Sequence, residues 1–362
     1  MHLHIVGGFL GSGKTTAIIG AAKYLSKQGL RVGVITNDQG RHLVDTAILR
    51  SENLPVMEVT NGCFCCNFDD LNQRLAELVE MHKPDVIFAE SVGSCADVVA
   101  TVVKPLLELD LGAIKPNSFS VFSDIRLLKR FLLGQEMPFS EDVSYIFSQQ
   151  IKEAGILIIN KTDLLSKIEQ KEVIDLAGAA YPAKPIISQN SLNEENVKKW
   201  VDVLQKDEFP LPNQSLDLDY ARYAQGEGKM VWVDREYALT AEEEAMPSIL
   251  KKVLVNWQDT IAKQGWGSGH IKLLIKTNDS SLKISLAQSG SLQSSDFPTQ
   301  LSKFRSKKVN ILVNILIESD HASISKFFEK GMSSLLDDRL IKLEVINQFD
   351  RRPGYPKPTY RI

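Results

Sequence analysis

The stretch Ile5-Val6-Gly7-Gly8-Phe9-Leu10-Gly11-Ser12-Gly13-Lys14-Thr15-Thr16 constrains this chain more than any other. From Gly8 to Thr15 it reads G-x-x-x-x-G-K-T, the pattern of a loop that wraps its backbone N–H groups around nucleotide phosphates. Glycine is needed at Gly8, Gly11 and Gly13 because a side chain would block close backbone approach and resist positive φ. Ser12, Gly13, Lys14, Thr15 and Thr16 form the phosphate end of the pattern. There Lys14 would reach the β- and γ-phosphates and the Thr15 hydroxyl would bind Mg²⁺. The context agrees. Residues 2–6 read as a strand, 17–27 as a helix with apolar Ile18, Ile19, Ala22 and Leu25 near helical spacing, and Gly29 as its C-cap. The helix N-terminus adds its partial positive charge at Lys14.

Strands are expected at 31–36, 55–59, 85–90, 118–123, 155–159 and 185–188, with helices between them. Pro105 should kink or end a helix spanning 94–109. Alternation of this kind predicts an α/β domain, a mostly parallel sheet covered by helices on both faces. Each motif then falls after the carboxyl end of a strand, where open α/β sheets bind ligands. Residues 206–229 are polar, hold Pro210, Pro212, Gly226 and Gly228, and read as a linker. Beyond them, strands at 230–233, 271–275, 282–286, 309–317 and 340–346, with helices at 246–262 and 324–336, predict a smaller α+β domain with an antiparallel sheet. The expected organisation is a first domain over 1–205, a linker over 206–229 and a second domain over 230–362.

Asn160-Lys161-Thr162-Asp163 sets the base preference. Asp163 can accept hydrogen bonds from the N1–H and the amino group of guanine, and adenine offers neither donor there. Each bond to a charged group contributes about 1.5–3 kcal/mol, enough together for a hundredfold preference or more. Lys161 would cover the base plane and Asn160 would tie this loop to the phosphate loop, with Ser188 as an added base contact. Glu90-x-x-Gly93 stands where such proteins place the residues that sense the γ-phosphate. Glu90 would hold Mg²⁺ or orient the attacking water, and the Gly93 N–H would bond the γ-phosphate. Asp38 is a second carboxylate for the Mg²⁺ neighbourhood. No residue announces itself as the catalytic base, so slow Mg²⁺-dependent hydrolysis of GTP to GDP is expected, with Lys14, Glu90 and Asp38 as its catalytic residues.

Three of the four cysteines crowd into Cys63, Cys65 and Cys66. Three thiolates are soft ligands suited to Zn²⁺ or Cu(I). A structural zinc site usually has four protein ligands, so the fourth position is open to water, Asp38, Cys95 or a client's side chain. Cys95 itself reads as packing. Adjacent Cys65 and Cys66 point opposite ways in an extended chain, which argues against all three binding at once. The cluster is not a disulfide framework, and with no signal peptide expected it predicts a reducing, cytoplasmic setting. The net charge of −3 argues against nucleic acid as a partner, and no apolar run approaches bilayer length.

Gly7 to Thr16, GCFCC at Gly62 to Cys66, Glu90-x-x-Gly93 and NKTD at 160–163 together resemble the CobW-like metallochaperone GTPases, of the SIMIBI class of P-loop GTPases. The resemblance covers about residues 1–205. It implies a GTP- and Mg²⁺-dependent protein that binds zinc or cobalt at Cys63, Cys65 and Cys66 and hands it to a client metalloprotein, with room for a homodimer. Two departures stand out. Asn37-Asp38-Gln39-Gly40 replaces the family's usual Asn-Glu-Phe-Gly, and Ser91-Val92-Gly93-Ser94 replaces Thr-Thr-Gly-Leu. The residue types leave two alternatives: a GTPase that activates a corrinoid or other metalloenzyme without metal transfer, and a thiol redox or structural zinc module.

Overall fold

The computed structural model describes residues 1–37, 46, 49–50, 52–59, 62–109, 114–206, 209–286, 301–302, 304–336 and 341–362. These residues divide into two compact units. Of the described residues, the first holds those up to Glu227 and those from Gly354 to Ile362; the second holds those within Gly228–Pro353.

The first unit is built on seven strands: β1 His2–Gly8, β2 Val32–Asn37, β3 Val56–Val59, β4 Val86–Glu90, β5 Pro116–Asp124, β6 Ile156–Asn160 and β7 Ile186–Ser188. They form one sheet in the order β3-β2-β4-β1-β5-β6-β7, every pair parallel. β2, β4 and β6 are buried along their whole length, which is why their sequences are near-continuous apolar runs rather than alternating ones. The helices are α1 Lys14–Lys27, α2 Phe68–His82, α3 Lys104–Glu108, α4 Ile125–Leu132, α5 Glu141–Glu153, α6 Lys167–Ala180, α7 Glu194–Gln205 and α8 Tyr220–Lys229. One core cluster joins Val6, Ile18, Val34, Phe88, Phe122, Ile158 and Trp200. The Trp200 indole N–H is satisfied by Ser120 Oγ at 3.1 Å.

Three elements differ from expectation. The helix expected over 94–109 is a π-helical turn, Val99–Val103, followed by α3. Pro105 has no N–H to give, and the wider turn puts it in the first turn of a new helix, where none is required. The stretch expected as a linker holds α8, whose Tyr223, Gly226 and Glu227 are buried. A polar composition hides a helix whose apolar contacts come from one aromatic face. The residues Gly354–Ile362, expected in the second domain, belong to the first unit. There Tyr360 packs edge-on against Phe68 at 5.3 Å, and Arg361 Nε reaches Asp97 Oδ2 at 2.7 Å.

The second unit is a five-stranded antiparallel sheet of β8 Met230–Thr240, β9 Gly267–Lys276, β10 Ser281–Leu286, β11 Lys308–Glu318 and β12 Lys342–Arg351. Its order is β10-β9-β11-β8-β12, and α9 Met246–Gln264 and α10 His321–Leu336 accompany it. Val231, Val233, Leu250, Trp257, Leu273, Val313 and Phe328 are part of its apolar core.

Candidate functional site

Because every strand of the first sheet runs the same way, all of its carboxyl ends open on one edge. Read across the sheet, that edge carries three chemistries in a row. Sulfur follows β3, the phosphate-type loop follows β1, and the NKTD loop follows β6. β3 and β1 are separated by β2 and β4, so their axes lie about 14 Å apart.

The loop after β1 is shaped around two glycines. Gly8 has φ 124°, and a Cβ there would stand 2.2 Å from the Phe122 carbonyl oxygen. Gly13 has φ 94°, and a Cβ would meet Asn160 Nδ2 at 2.5 Å. Gly11 is also left-handed, at φ 69°. Ser12 N–H donates to Phe9 O at 3.2 Å and closes the turn. Lys14 Nζ donates to Gly8 O at 2.7 Å, folding its ammonium back along the cradle. Thr15 Oγ1 donates to Glu90 Oε1 at 3.0 Å, and both side chains are buried. A hydroxyl and a carboxylate at this separation suit a shared Mg²⁺ neighbourhood. Thr16 stands beside them in the first turn of α1. Asp38 lies outside the described residues.

On the base side, Asn160 holds three loops together. Its Nδ2 donates to Ser12 O at 2.7 Å, and its Oδ1 accepts from Ser191 N at 3.1 Å and Ser191 Oγ at 2.8 Å. Lys161 is in the left-handed region, φ 61°, with Nζ 3.3 Å from Asp124 Oδ2. Burial pushes its pKa down while Asp124 opposes the shift. Asp163 is exposed in a short 3₁₀ turn, Thr162–Leu164, and Ser188 is exposed at the end of β7. An exposed carboxylate can accept from donors of the kind guanine presents. Sequence reasoning missed Ser191 and Gln189, whose loop completes this wall. Gln189 N donates to Ile159 O at 2.9 Å, and its side chain reaches Ser191 Oγ at 2.9 Å.

The cysteines lie in a turn, not an extended segment. Cys66 N and Asn67 N both donate to Cys63 O at 3.0 Å. The turn brings the sulfurs together: Cys63 to Cys65 2.7 Å, Cys63 to Cys66 3.3 Å and Cys65 to Cys66 3.8 Å. The objection from extended geometry therefore fails, and all three sulfurs face one point. Asn37, at the end of β2, clamps the turn: its Oδ1 accepts from Phe64 N at 2.7 Å and its Nδ2 donates to Gly62 O at 2.7 Å. The segment 354–362 lies over it, with Thr359 N donating to Cys65 O at 2.8 Å and Lys357 N to Cys66 Sγ at 3.4 Å.

Cys95, in the loop leaving β4, is also buried. The cluster favours one thiolate among thiols. Hydrogen bonds from Cys65, then Cys66, hold the Cys63 pKa well below the ordinary range, and the contact with Cys63 pushes Cys65 up and Cys66 to about 11. Glu227 of α8 is buried beside them, with the hydroxyls of Ser94 and Tyr223 next to its carboxyl. Burial first, and the Cys63 charge second, raise that carboxyl's pKa to about 8. Soft sulfur donors converging in one largely buried turn fit zinc or Cu(I) by their chemistry.

Comparison with known proteins identifies the family. The family model for the CobW/HypB/UreG nucleotide-binding domain matches residues 2–188. The chain is 28% identical over 211 residues to the zinc chaperone CobW of Sinorhizobium sp, covering 50% of this chain and 56% of that protein. It is 28% identical over 166 residues to the zinc chaperone YeiR of Escherichia coli K12, covering 44% and 46%. The chain thus spans about half the length of the curated relatives it matches. Among solved structures, HypB from Helicobacter pylori in complex with nickel superposes with a TM-score of 0.42 at 17% identity, covering 60% of this chain and 92% of that one. No helix among the described residues is long and apolar enough to cross a membrane. With the family model covering more than half of its length, the chain belongs to the CobW/HypB/UreG family.

Proposed function

We propose that this protein is a GTP-dependent metallochaperone: it binds GTP with Mg²⁺ at the loop from Gly8 to Thr16, holds a soft metal ion at Cys63, Cys65 and Cys66, and yields it to a client metalloprotein as GTP is hydrolysed. Zinc is the favoured cargo and cobalt the second choice. The observation that carries this reading is the row of sites on one sheet edge, with a trio of sulfurs within 4.8 Å of one another after β3 and the phosphate cradle after β1. Two zinc chaperones among the relatives support the choice of metal.

In this reading Lys14 and Gly93 bind the phosphates, Thr15 and Glu90 hold the Mg²⁺ neighbourhood, and Asp163 with Lys161 and Ser188 selects guanine. Mg²⁺, when bound, neutralises charge that develops on the phosphates. Asp38 is kept as a candidate neighbour of that ion. The protein works away from nucleic acid and membranes, in the cytoplasm.

The test is the zinc affinity of the full chain with GDP and with a non-hydrolysable GTP analogue. The expected result is a difference of about tenfold or more, within the usual range of coupling between two sites. Equal affinities would remove the coupling, because a ligand indifferent to two states shifts neither.

A further inference from the structure

We propose that the segment 354–362 carries the state of the nucleotide to the metal, with Thr359 and Arg361 as positioning residues that bolt the sulfur turn to the loop leaving β4. This deepens the metallochaperone reading and rests on it.

The segment reads Gly354-Tyr355-Pro356-Lys357-Pro358-Thr359-Tyr360-Arg361-Ile362. Pro356 and Pro358 each fix their own φ and push the residue before them into extended backbone. They also reduce the entropy lost when this stretch is ordered. Proline has no N–H, so the backbone donors from 356 to 359 are those of Lys357 and Thr359. Both point at the sulfur turn. Lys357 N donates to Cys66 Sγ at 3.4 Å, and Thr359 N donates to Cys65 O at 2.8 Å. Thr359 Oγ1 adds a bond to Cys66 O at 3.2 Å. Tyr360 packs edge-on against Phe68, the first residue of α2, with ring centres 5.3 Å apart.

Two residues beyond Thr359 the same segment grips a different loop. Arg361 Nε donates to Asp97 Oδ2 at 2.7 Å, and the far end of its guanidinium donates to Leu216 O at 2.7 Å. Ile362 N donates to Ala100 O at 2.9 Å. Asp97 closes the loop leaving β4; it is buried and holds a left-handed φ of 66°. A residue other than glycine keeps such a backbone only where its surroundings impose it. Arg361 is one such restraint, and the Tyr220 hydroxyl, 2.7 Å from the same carboxylate oxygen, is another. At its start the same loop leaves Glu90, which accepts from Thr15 Oγ1 at 3.0 Å. Its Gly93 lies so close to the phosphate cradle that an added Cβ would stand 3.1 Å from the Leu10 backbone nitrogen. The stretch from Glu90 to Asp97 thus touches the cradle at one end and Arg361 at the other. Coupling between sites runs through contiguous contacts of this kind when both sites bias one element. A buried carboxylate stripped of its partner is costly, so the ion pair stays closed when Asp97 moves. A shift of this loop on nucleotide exchange then moves Arg361, and Thr359 draws on the peptides of Cys65 and Cys66.

The test is the zinc affinity of the full chain with GDP and with a non-hydrolysable GTP analogue, in wild type, Arg361→Lys and Arg361→Ala. In the wild type the two affinities should differ by about tenfold or more. Arg361→Ala should cut that ratio by about fivefold, within the range by which a residue between two sites alters their coupling. Arg361→Lys keeps a cation for Asp97 but not the planar fork, and its ratio should fall between the other two. A residue that only supports the fold would lower zinc affinity equally with both nucleotides. That result, or an unchanged ratio in Arg361→Ala, would overturn the coupling role and leave the chaperone reading standing. Hydrogen exchange of the wild type needs no variant: the Thr359 amide should exchange about threefold faster or slower with the analogue than with GDP. Equal exchange would overturn the role of the segment as well. A wild type whose zinc affinity ignores the nucleotide would bring down both readings.

Discussion

The two units solve the problem of burying a sheet in opposite ways, and only one of them leaves chemistry at an edge. In the first, all strands are parallel, so seven carboxyl ends gather on one side and every loop there can share a ligand. In the second, strands alternate in direction, and polar chemistry is instead drawn inside the sheet. Asn314 Nδ2 donates to Asp234 Oδ1 at 2.7 Å, its Oδ1 pairs with His270 Nε2, and Arg235 pairs with Asp350. Polar side chains thus gather at a sheet edge in one unit and pair within the sheet in the other. Parallel order gathers loops on one edge; antiparallel order here pairs Asn314, Asp234 and His270 within the sheet.

That contrast can be broken most directly at Gly8. Gly8→Ala places a methyl group 2.2 Å from the Phe122 carbonyl oxygen in a backbone of φ 124°. It should cost about 3 kcal/mol of stability and abolish GTP binding, read by thermal melting and by nucleotide titration. Retention of full GTP affinity would mean that the loop is not built around that contact. Asn314→Leu is the counterpart in the second unit. It removes the amide between Asp234 and His270 and should destabilise that unit by about 3 kcal/mol, while GTP affinity stays unchanged. A loss of GTP affinity equal to that of Gly8→Ala would erase the distinction between the two interiors.

Acid gives a smaller, sharper comparison. His4 sits in β1, buried, with Nδ1 2.9 Å from Ser118 Oγ. Burial, and to a lesser degree His2, lowers its pKa from 6.5 to about 3. Between those values the unfolded chain takes up a proton that the fold refuses. Stability from this group is therefore complete above pH 6.5 and is lost as pH falls toward 3. Urea melts of wild type should lose about 1.4 kcal/mol per pH unit relative to His4→Gln across that window. Parallel curves for the two proteins would show that His4 is charged in the fold.

Much of this was legible before any coordinates. The strand–helix alternation from Ile5 to Leu204 gives the parallel sheet, and the placement of Gly8–Thr16, Glu90 and Asn160 after strands gives the site edge. These signals are local, with a period or a spacing to read. The remainder depends on contacts between distant residues. Asn37 is an ordinary polar residue until it clamps Phe64 and Gly62. The extended-chain argument against Cys65 and Cys66 failed because it assumed strand geometry where Cys63 O receives two N–H groups. Composition likewise concealed Glu227, since an acid in a polar stretch gives no sign that a helix will bury it.

The segment 354–362 carries a consequence in time. Cys66 Sγ and Cys66 O receive Lys357 N and Thr359 Oγ1, partners 291 and 293 residues further along the chain. A ribosome makes the sulfur turn early and its roof late, after all of Gly228–Pro353 has emerged. Through that interval the turn waits without these two partners, and it gains them only when the polypeptide comes back to cover its own beginning.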